Sequence, residues 1–265
     1  MARSNLDQCQ RIVVKIGSST LTHPNGRLHL GRLEQLVREI VDIIHEGRQV
    51  AVVSSGAVAA GLGRMQMQQP VENLAAKQAL AAIGQGILMQ AYEKLFSEYG
   101  VVVAQILLTS RTLQDEDGYM NTVNTLRQLL EWQVLPIINE NDTVATDEIR
   151  FGDNDTLAAH VVELMRADLL IMLTETDGVY TSDPHKDPTA RKIETIEELT
   201  PDLMNLAANS HSPFGTGGMA TKLTAAQIAC RHGARTVIAP GHQRGILRGI
   251  LAGESVGTII GSAGR

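Results

Sequence analysis

Six short apolar segments recur along the chain, and their pattern limits the folds that it can adopt. They share β-branched residues and lack alternation between apolar and polar positions: IVVKIG (12–17), VAVVSS (50–55), VVVAQILL (101–108), VLPIIN (134–139), LLIMLT (169–174) and TVIAP (236–240). Such segments are typical of strands that are buried on both faces of a sheet. We therefore expect a sheet that is covered by helices on two sides.

Helical patterns separate these segments. Apolar residues hold helical spacing from Leu30 to Ile44, before Gly47 ends the pattern. Similar patterns predict helices at about 73–98, 119–132, 156–166 and 219–232. Alternation of strand and helix predicts an α/β fold, a three-layer αβα sandwich with a mostly parallel central sheet.

The stretch 175–218 carries weaker patterns than the rest of the chain. Within it, GVYTSDP (178–184) predicts a hairpin, and 205–218 has the composition of a segment that moves. No repeat, low-complexity linker or domain boundary is visible. We expect a single domain over residues 1–265.

Composition and charge point to a protein that handles small molecules. The net charge of −6 and the lack of a lysine and arginine run argue against a nucleic-acid or anionic-membrane surface. Cys9 and Cys230 have no spacing typical of a zinc site or a disulfide framework, so small buried thiols are the simplest interpretation. With neither a targeting pattern nor a long apolar span, the sequence predicts a cytoplasmic protein.

Small and hydroxyl residues follow several of the predicted strands, where open α/β sheets bind ligands. KIGSS follows the first strand, SSGA follows the second, and GTGGMATK (215–222) precedes the last long helix. Each could be a simple tight turn, or an anion site at a helix N-terminus. The stretch GTGGMATK lacks the residue order of a P-loop, and no G-x-G-x-x-G follows the first strand.

Two lysines at these positions suggest an anionic ligand. Lys15 lies inside a buried strand, where a charge without a partner is costly, although it could also extend to solvent at the sheet edge. Lys222 lies near the start of its helix, where a cation is disfavoured by the helix dipole, although it could also be a solvated surface residue.

Acidic and amide residues collect in NENDTVATDEIRFGDNDTL (139–157), after the fourth strand. A calcium-loop spacing is absent from Asp142 and from Asp153. Asp153 or Asn154 could cap the following helix, a role that does not exclude ligand contact. The eight histidines show no spacing of a metal site or catalytic triad, so hydrolase chemistry has little support.

Taken in order, five motifs resemble the amino acid kinase family, from about residue 11 to 260. They are VVKIGSS, VVSSGAVAAG, INENDTVATDEIRFGDND, LLIMLTETDGVYTSDP and GTGGMATKLTAAQIA. The last motif together with GDND is similar to the branch that phosphorylates the side-chain carboxylate of L-glutamate. The resemblance implies the αβα fold of this family and the use of ATP and Mg²⁺. It also implies that the chain catalyses the first step of proline biosynthesis.

The resemblance also implies roles for individual residues. Lys15 and Lys222 would flank the transferred phosphoryl group, and Asp155 would hold the two lysines in position. Ser55, Asp142 and Asn154 would bind glutamate. The positions implied for ATP contact are Lys15, Thr174, Glu175, Thr216, Gly217, Gly218, Met219, Ala220, Thr221 and Lys222. Mg²⁺ would be held mainly by the nucleotide, with no ligand set from the protein.

The family commonly has aspartate at the position of Glu175, which is one methylene longer. Larger members carry a C-terminal PUA accessory domain, for which no segment is seen here. The resemblance further implies a homo-oligomer, a dimer or tetramer, and inhibition by proline.

The sequence leaves two other functions open. The first is a sister kinase that acts on N-acetylglutamate, aspartate, carbamate or UMP. The acidic stretch favours a free amino acid, because Asp142 can pair with its ammonium group, although Arg150 could serve a phosphate or an α-carboxylate. The second is a nucleotide-binding sensor without turnover, which retention of Lys15, Lys222 and Asp155 disfavours.

Overall fold

The central sheet has eight strands within the residues that the computed structural model describes: 3, 5–67, 71–145, 154–184, 186–208 and 218–261. All six predicted segments form strands of this sheet: Arg11–Ile16 (β1), Gln49–Ser54 (β2), Val103–Leu108 (β3), Leu135–Glu140 (β4), Leu169–Thr174 (β5) and Arg235–Pro240 (β9). Thr195–Ile196 (β8) and Thr258–Ile260 (β10) complete it. These two strands were not predicted, because two or three residues are too few to show a pattern.

The order of strands in the sheet is β3-β4-β2-β1-β5-β9-β10-β8. Every pair is parallel except β9 and β10, which are antiparallel. Val179–Tyr180 (β6) and Lys192–Ile193 (β7) form a separate antiparallel pair, which confirms the hairpin predicted around GVYTSDP. The parallel order brings the carboxyl ends of β1, β2, β4 and β5 to one edge of the sheet.

Helices cover both faces of the sheet, so the predicted three-layer sandwich is confirmed. They are Ser18–Leu21 (α1), Leu30–His45 (α2), Ala57–Met65 (α3), Leu74–Ser97 (α4), Ser110–Gln114 (α5), Glu116–Glu131 (α6), Asn154–Met165 (α7), Pro201–Ala208 (α8), Met219–Arg231 (α9) and Ile246–Leu251 (α10). Residues of α2, α4 and α10 share one buried core, and residues of α6, α7 and α9 share another. None of the described helices is long and apolar enough to cross a membrane.

Side chains of β1 alternate between these two cores. Ile12, Val14 and Ile16 join the core under α2 and α4, whereas Val13 joins the core under α6, α7 and α9. Since successive strand residues point to opposite faces, Lys15 lies on the same face as Val13. The strand therefore directs its lysine toward α7 and α9.

Helices α3 and α4 pack unusually closely through small residues. A Cβ added at Gly84 would lie 1.8 Å from the Ala57 carbonyl oxygen, and one at Gly61 would lie 2.1 Å from the Leu80 carbonyl oxygen. Both distances are far below van der Waals contact. Glycine at these two positions is therefore what allows the helix backbones to meet.

We predict that Gly84→Ala lowers the free energy of unfolding by about 1–3 kcal/mol, because the added methyl group would push α3 away from α4. Gly86→Ala is the matched control, since Gly86 is exposed on the same helix and an added Cβ meets nothing within 4 Å. Alanine there should raise the free energy of unfolding by up to about 1 kcal/mol. Urea unfolding of the two variants measures the difference, and equal effects would contradict the packing argument.

Candidate active site

A buried ion cluster lies at the carboxyl end of β1. The Lys15 Nζ is 2.5 Å from the Asp155 Oδ1, and the Lys222 Nζ is 3.1 Å from the Asp155 Oδ2. At most 8% of any of these side chains is exposed. One carboxylate thus joins a strand and two helices, since Lys15 lies on β1, Asp155 on α7 and Lys222 on α9.

Thr221 adds a fourth residue to the ion cluster. Its hydroxyl lies 2.9 Å from Asp155 Oδ2 and 2.8 Å from the Gly218 carbonyl oxygen, so it can donate to either. Gly218 is the N-cap of α9 and gives the helix no side-chain cap. The first turn of α9 is therefore tied to α7 through side chains, and Gly218 itself offers no side-chain acceptor to the N–H groups at the helix N-terminus.

Two lysines share one charged carboxylate in this cluster. Burial by itself raises the pKa of Asp155, but Lys15, Lys222 and the hydrogen bonds from Lys15 and Thr221 outweigh burial and hold that pKa well below its ordinary value. Asp155 is therefore a carboxylate that holds two ammonium groups side by side. Two cations this close together are suited to an anionic ligand.

Four polar side chains form a second cluster beside the ion cluster. This amide cluster consists of Ser55, Gln85, Asn139 and Asn154. The Asn154 Nδ2 lies 3.1 Å from the Ser55 Oγ and 2.9 Å from the Asn139 Oδ1. The Asn139 Nδ2 in turn donates to Gln85 Oε1 at 2.7 Å. Since Asn154 directly precedes Asp155 in α7, the amide cluster and the ion cluster share one helix start.

The structure brings together Lys15, Lys222 and Asp155, and separately Ser55 and Asn154. Asp142 lies two residues after β4 and is half-buried. Asn154 is the first residue of α7, and the other capping candidate, Asp153, lies outside the described residues, as does Arg150.

Four other predicted nucleotide contacts lie at two places on the same edge of the sheet. Thr174 ends β5, where its carbonyl oxygen accepts from the Gly241 N–H at 2.8 Å, and Glu175 beside it is exposed. Met219 and Ala220 are half-buried in the first turn of α9. Thr216 and Gly217 lie outside the described residues.

Sequence reasoning gave no role to Asn139 or Gln85. Asn139 closes an apolar segment and is 1% exposed, and an amide at the end of a buried strand is a signal that it needs polar partners. Gln85 lies between two glycines of α4, where no periodicity marks it. Only the packing of α4 beside β4 reveals its contact.

Solved structures with a similar fold include two kinases. The crystal structure of UMP kinase from Bacillus anthracis has a TM-score of 0.63 and 17% sequence identity, and the match covers 96% of each chain. An isopentenyl phosphate kinase has a TM-score of 0.65 and 18% identity, over 94% of this chain and 99% of the other. At such identities the similarity establishes the fold alone.

Sequence comparison is more specific. The model of the amino acid kinase family matches residues 10–240. The glutamate 5-kinase of Symbiobacterium thermophilum is 53% identical over 262 residues, which cover 99% of this chain and 100% of the relative. That of Moorella thermoacetica is 51% identical over 97% of this chain and 68% of the relative, and that of Clostridium acetobutylicum is 46% identical over 96% and 95%. The chain therefore belongs to the amino acid kinase family and, within it, to the glutamate 5-kinases.

Proposed function

We propose that this chain transfers the γ-phosphoryl group of ATP to the side-chain carboxylate of L-glutamate, which gives L-glutamyl 5-phosphate and opens proline biosynthesis. The observation that carries the proposal is the buried Lys15–Asp155–Lys222 cluster, in which one carboxylate holds two ammonium groups side by side. It lies beside the amide cluster that contains Ser55 and Asn154, so an anion site and a polar substrate site are adjacent.

The reaction needs no general base. A glutamate side chain has an ordinary pKa of about 4.3, so it is already a nucleophilic carboxylate at neutral pH. One of its oxygens forms a bond to the γ-phosphorus, the bond from that phosphorus to the bridging oxygen breaks, and ADP leaves with the electron pair. Asp155 is unsuited to proton transfer because its pKa is held low, so its role is to position Lys15 and Lys222.

Positive charge around the transferred group is the main requirement of such a reaction. Lys15 would supply it from β1 and Lys222 from α9, and the start of α9, where Gly218 provides no side-chain cap, would add N–H donors. Thr174, Glu175 and the stretch Thr216–Lys222 would contact the nucleotide.

Mg²⁺ fits this arrangement as a companion of the nucleotide. Among the described residues, no three acidic, histidine or cysteine side chains are placed to hold a metal ion. Mg²⁺ accepts water and phosphate oxygens readily, so the nucleotide would be its principal ligand. When bound, the ion would supply further positive charge at the phosphates.

Glutamate would be held by the amide cluster and the loop after β4. Ser55 and Asn154 offer hydrogen-bonding groups, and the Asp142 carboxylate would pair with the α-ammonium group. A free amino acid carries that cation, whereas an N-acetylated amino acid or a nucleoside monophosphate does not. The ammonium group therefore separates glutamate from N-acetylglutamate and UMP, although aspartate shares it.

The proposal also covers the setting of the enzyme. We expect a cytoplasmic homo-oligomer, a dimer or tetramer, that is inhibited by proline. These expectations rest on similarity to the family. Light scattering of the purified protein tests the oligomeric state, and the glutamate assay repeated with proline tests the inhibition.

We predict that Lys222→Met lowers kcat by about 100- to 1000-fold, because a preorganised positive charge at the phosphoryl group is lost. Glutamate-dependent ADP release, or hydroxamate formed in hydroxylamine, measures the effect. Lys94→Met is the matched control, since Lys94 is exposed on α4, and it should keep full activity. Near-full turnover of a folded Lys222→Met variant would contradict the phosphoryl-binding role.

We predict that Asp142→Asn raises the KM of glutamate roughly 10- to 100-fold, because a charge-assisted hydrogen bond to the ammonium group is lost. The KM of ATP should stay within about twofold, since the loop after β4 would not contact the nucleotide. Asp117→Asn, at an exposed position of α6, is the control. An equal rise in both KM values would place Asp142 outside the glutamate site.

We predict that Asp155→Asn lowers the free energy of unfolding by about 3–5 kcal/mol at neutral pH, because two buried ammonium groups lose their counter-charge. The folded-state pKa of Asp155 is lowered, so its contribution is present above the ordinary carboxyl pKa and is lost as pH falls below it. The difference between wild type and variant should thus stay constant from about pH 7 to 5 and shrink below about pH 4.

Urea unfolding at a series of pH values measures this difference, with Glu93→Gln, at an exposed position of α4, as control. A difference that already vanishes near pH 6, or that persists unchanged at the lowest pH, would contradict the assignment of a lowered pKa to Asp155.

A further inference from the structure

A chain of side-chain amides connects helix α4 to the proposed glutamate site. Gln85 Oε1 accepts from Asn139 Nδ2 at 2.7 Å, and Asn139 Oδ1 accepts from Asn154 Nδ2 at 2.9 Å. The same Asn154 nitrogen lies 3.1 Å from Ser55 Oγ. Gln85 is therefore two hydrogen bonds away from Asn154, although it lies on the far side of Asn139.

One backbone contact to each asparagine supports this assignment of oxygen and nitrogen. The Glu140 N–H, which can only donate, bonds to Asn139 Oδ1 at 2.8 Å. The Ser54 carbonyl oxygen, which can only accept, lies 3.4 Å from Asn154 Nδ2. Both contacts agree with the chain of amides, so flipping either asparagine would set two donors or two acceptors against each other.

In this orientation one acceptor has no partner among the described residues. Asn154 Oδ1 is buried and makes no hydrogen bond with any residue in the described part of the chain. A buried acceptor in that state costs free energy, which a ligand that donates a hydrogen bond would recover. An ammonium group has donors only, whereas a keto oxygen has acceptors only.

We propose that Gln85 is a positioning residue for amino-acid specificity. By holding the Asn139 amide, it keeps the Asn154 oxygen available for the α-ammonium group of the substrate and prevents Asn154 from presenting its NH₂ group instead. The inference rests on the proposed function, because it assigns Asn154 to L-glutamate. It adds a residue from α4 that need not touch the substrate.

Helix α4 is well suited to this task because its backbone is held firmly. Gly84, the neighbour of Gln85, lies against the Ala57 carbonyl group of α3. Two helical turns earlier, Gln78 Nε2 donates to the Ala145 carbonyl oxygen at 3.4 Å, in the loop that carries Asp142. Two glutamines of one helix face thus support two segments of the proposed glutamate site.

The test compares Gln85→Met, which removes the acceptor, with Gln85→Glu, which retains it. We expect Gln85→Met to raise the KM of glutamate roughly 5- to 30-fold, because the Asn139 amide is no longer held. The KM of ATP and kcat should change by less than about threefold. Gln85→Glu should restore most of the glutamate affinity, and Gln90→Met, at an exposed position of α4, should behave as wild type.

Inhibition by 2-oxoglutarate, which carries a keto oxygen in place of the ammonium group, separates orientation from general damage. Its inhibition constant should stay the same or fall in Gln85→Met, because Asn154 then loses the support of Asn139 and only its long contact with the Ser54 carbonyl oxygen opposes a turn of its NH₂ group toward the ligand. An equal rise of this constant and of the glutamate KM would overturn the inference, and so would an unchanged glutamate KM. Absence of glutamate turnover in the wild type overturns the proposed function as well, whereas the other two outcomes leave it intact.

Discussion

The arrangement of this site depends on the ion pairs that the Asp155 carboxylate makes with two lysines. Its two oxygens hold Lys15 of β1 and Lys222 of α9, so a central strand and two helices of one layer meet at a single group. Burial alone would disfavour the charged form, but two ammonium groups reverse that effect and keep Asp155 ionised. The two ammonium groups that it holds side by side are what a phosphoryl group would meet.

The sheet determines that these groups meet at all. Because β1 pairs in parallel with both β2 and β5, the carboxyl ends of neighbouring strands lie at one edge. Lys15 is the strand residue that faces α7 and α9 nearest that edge, since Val13 on the same face is deep in the core. A shift of register by one residue would turn Lys15 toward α2 and leave Asp155 with one partner.

Much of this architecture could be predicted from the sequence. The six long strands and the longer helices were visible because apolar spacing extends over enough residues, and Lys15 was notable because a charge inside a buried strand needs a partner. Strands β8 and β10 were not predicted because they are very short. The contact between Asn139 and Gln85 was not predicted for another reason. It joins residues far apart in sequence, and neither spacing nor composition shows which amides face each other. The predicted contacts at Thr216 and Gly217 fall outside the described residues.

The start of α7 carries one residue of the proposed glutamate site and one residue of the proposed phosphoryl site. Asn154 and Asp155 are consecutive, and successive side chains on a helix point in directions about 100° apart. Asn154 therefore contacts Ser55 and Asn139 beside β2 and β4, while Asp155 contacts the lysines of β1 and α9. Because one helical turn carries both contacts, the distance between the carboxylate acceptor site and the phosphoryl site is set by backbone geometry. A phosphoryl transfer that depends on positioning gains most from such a rigid link, since neither subsite can shift without disturbing the other.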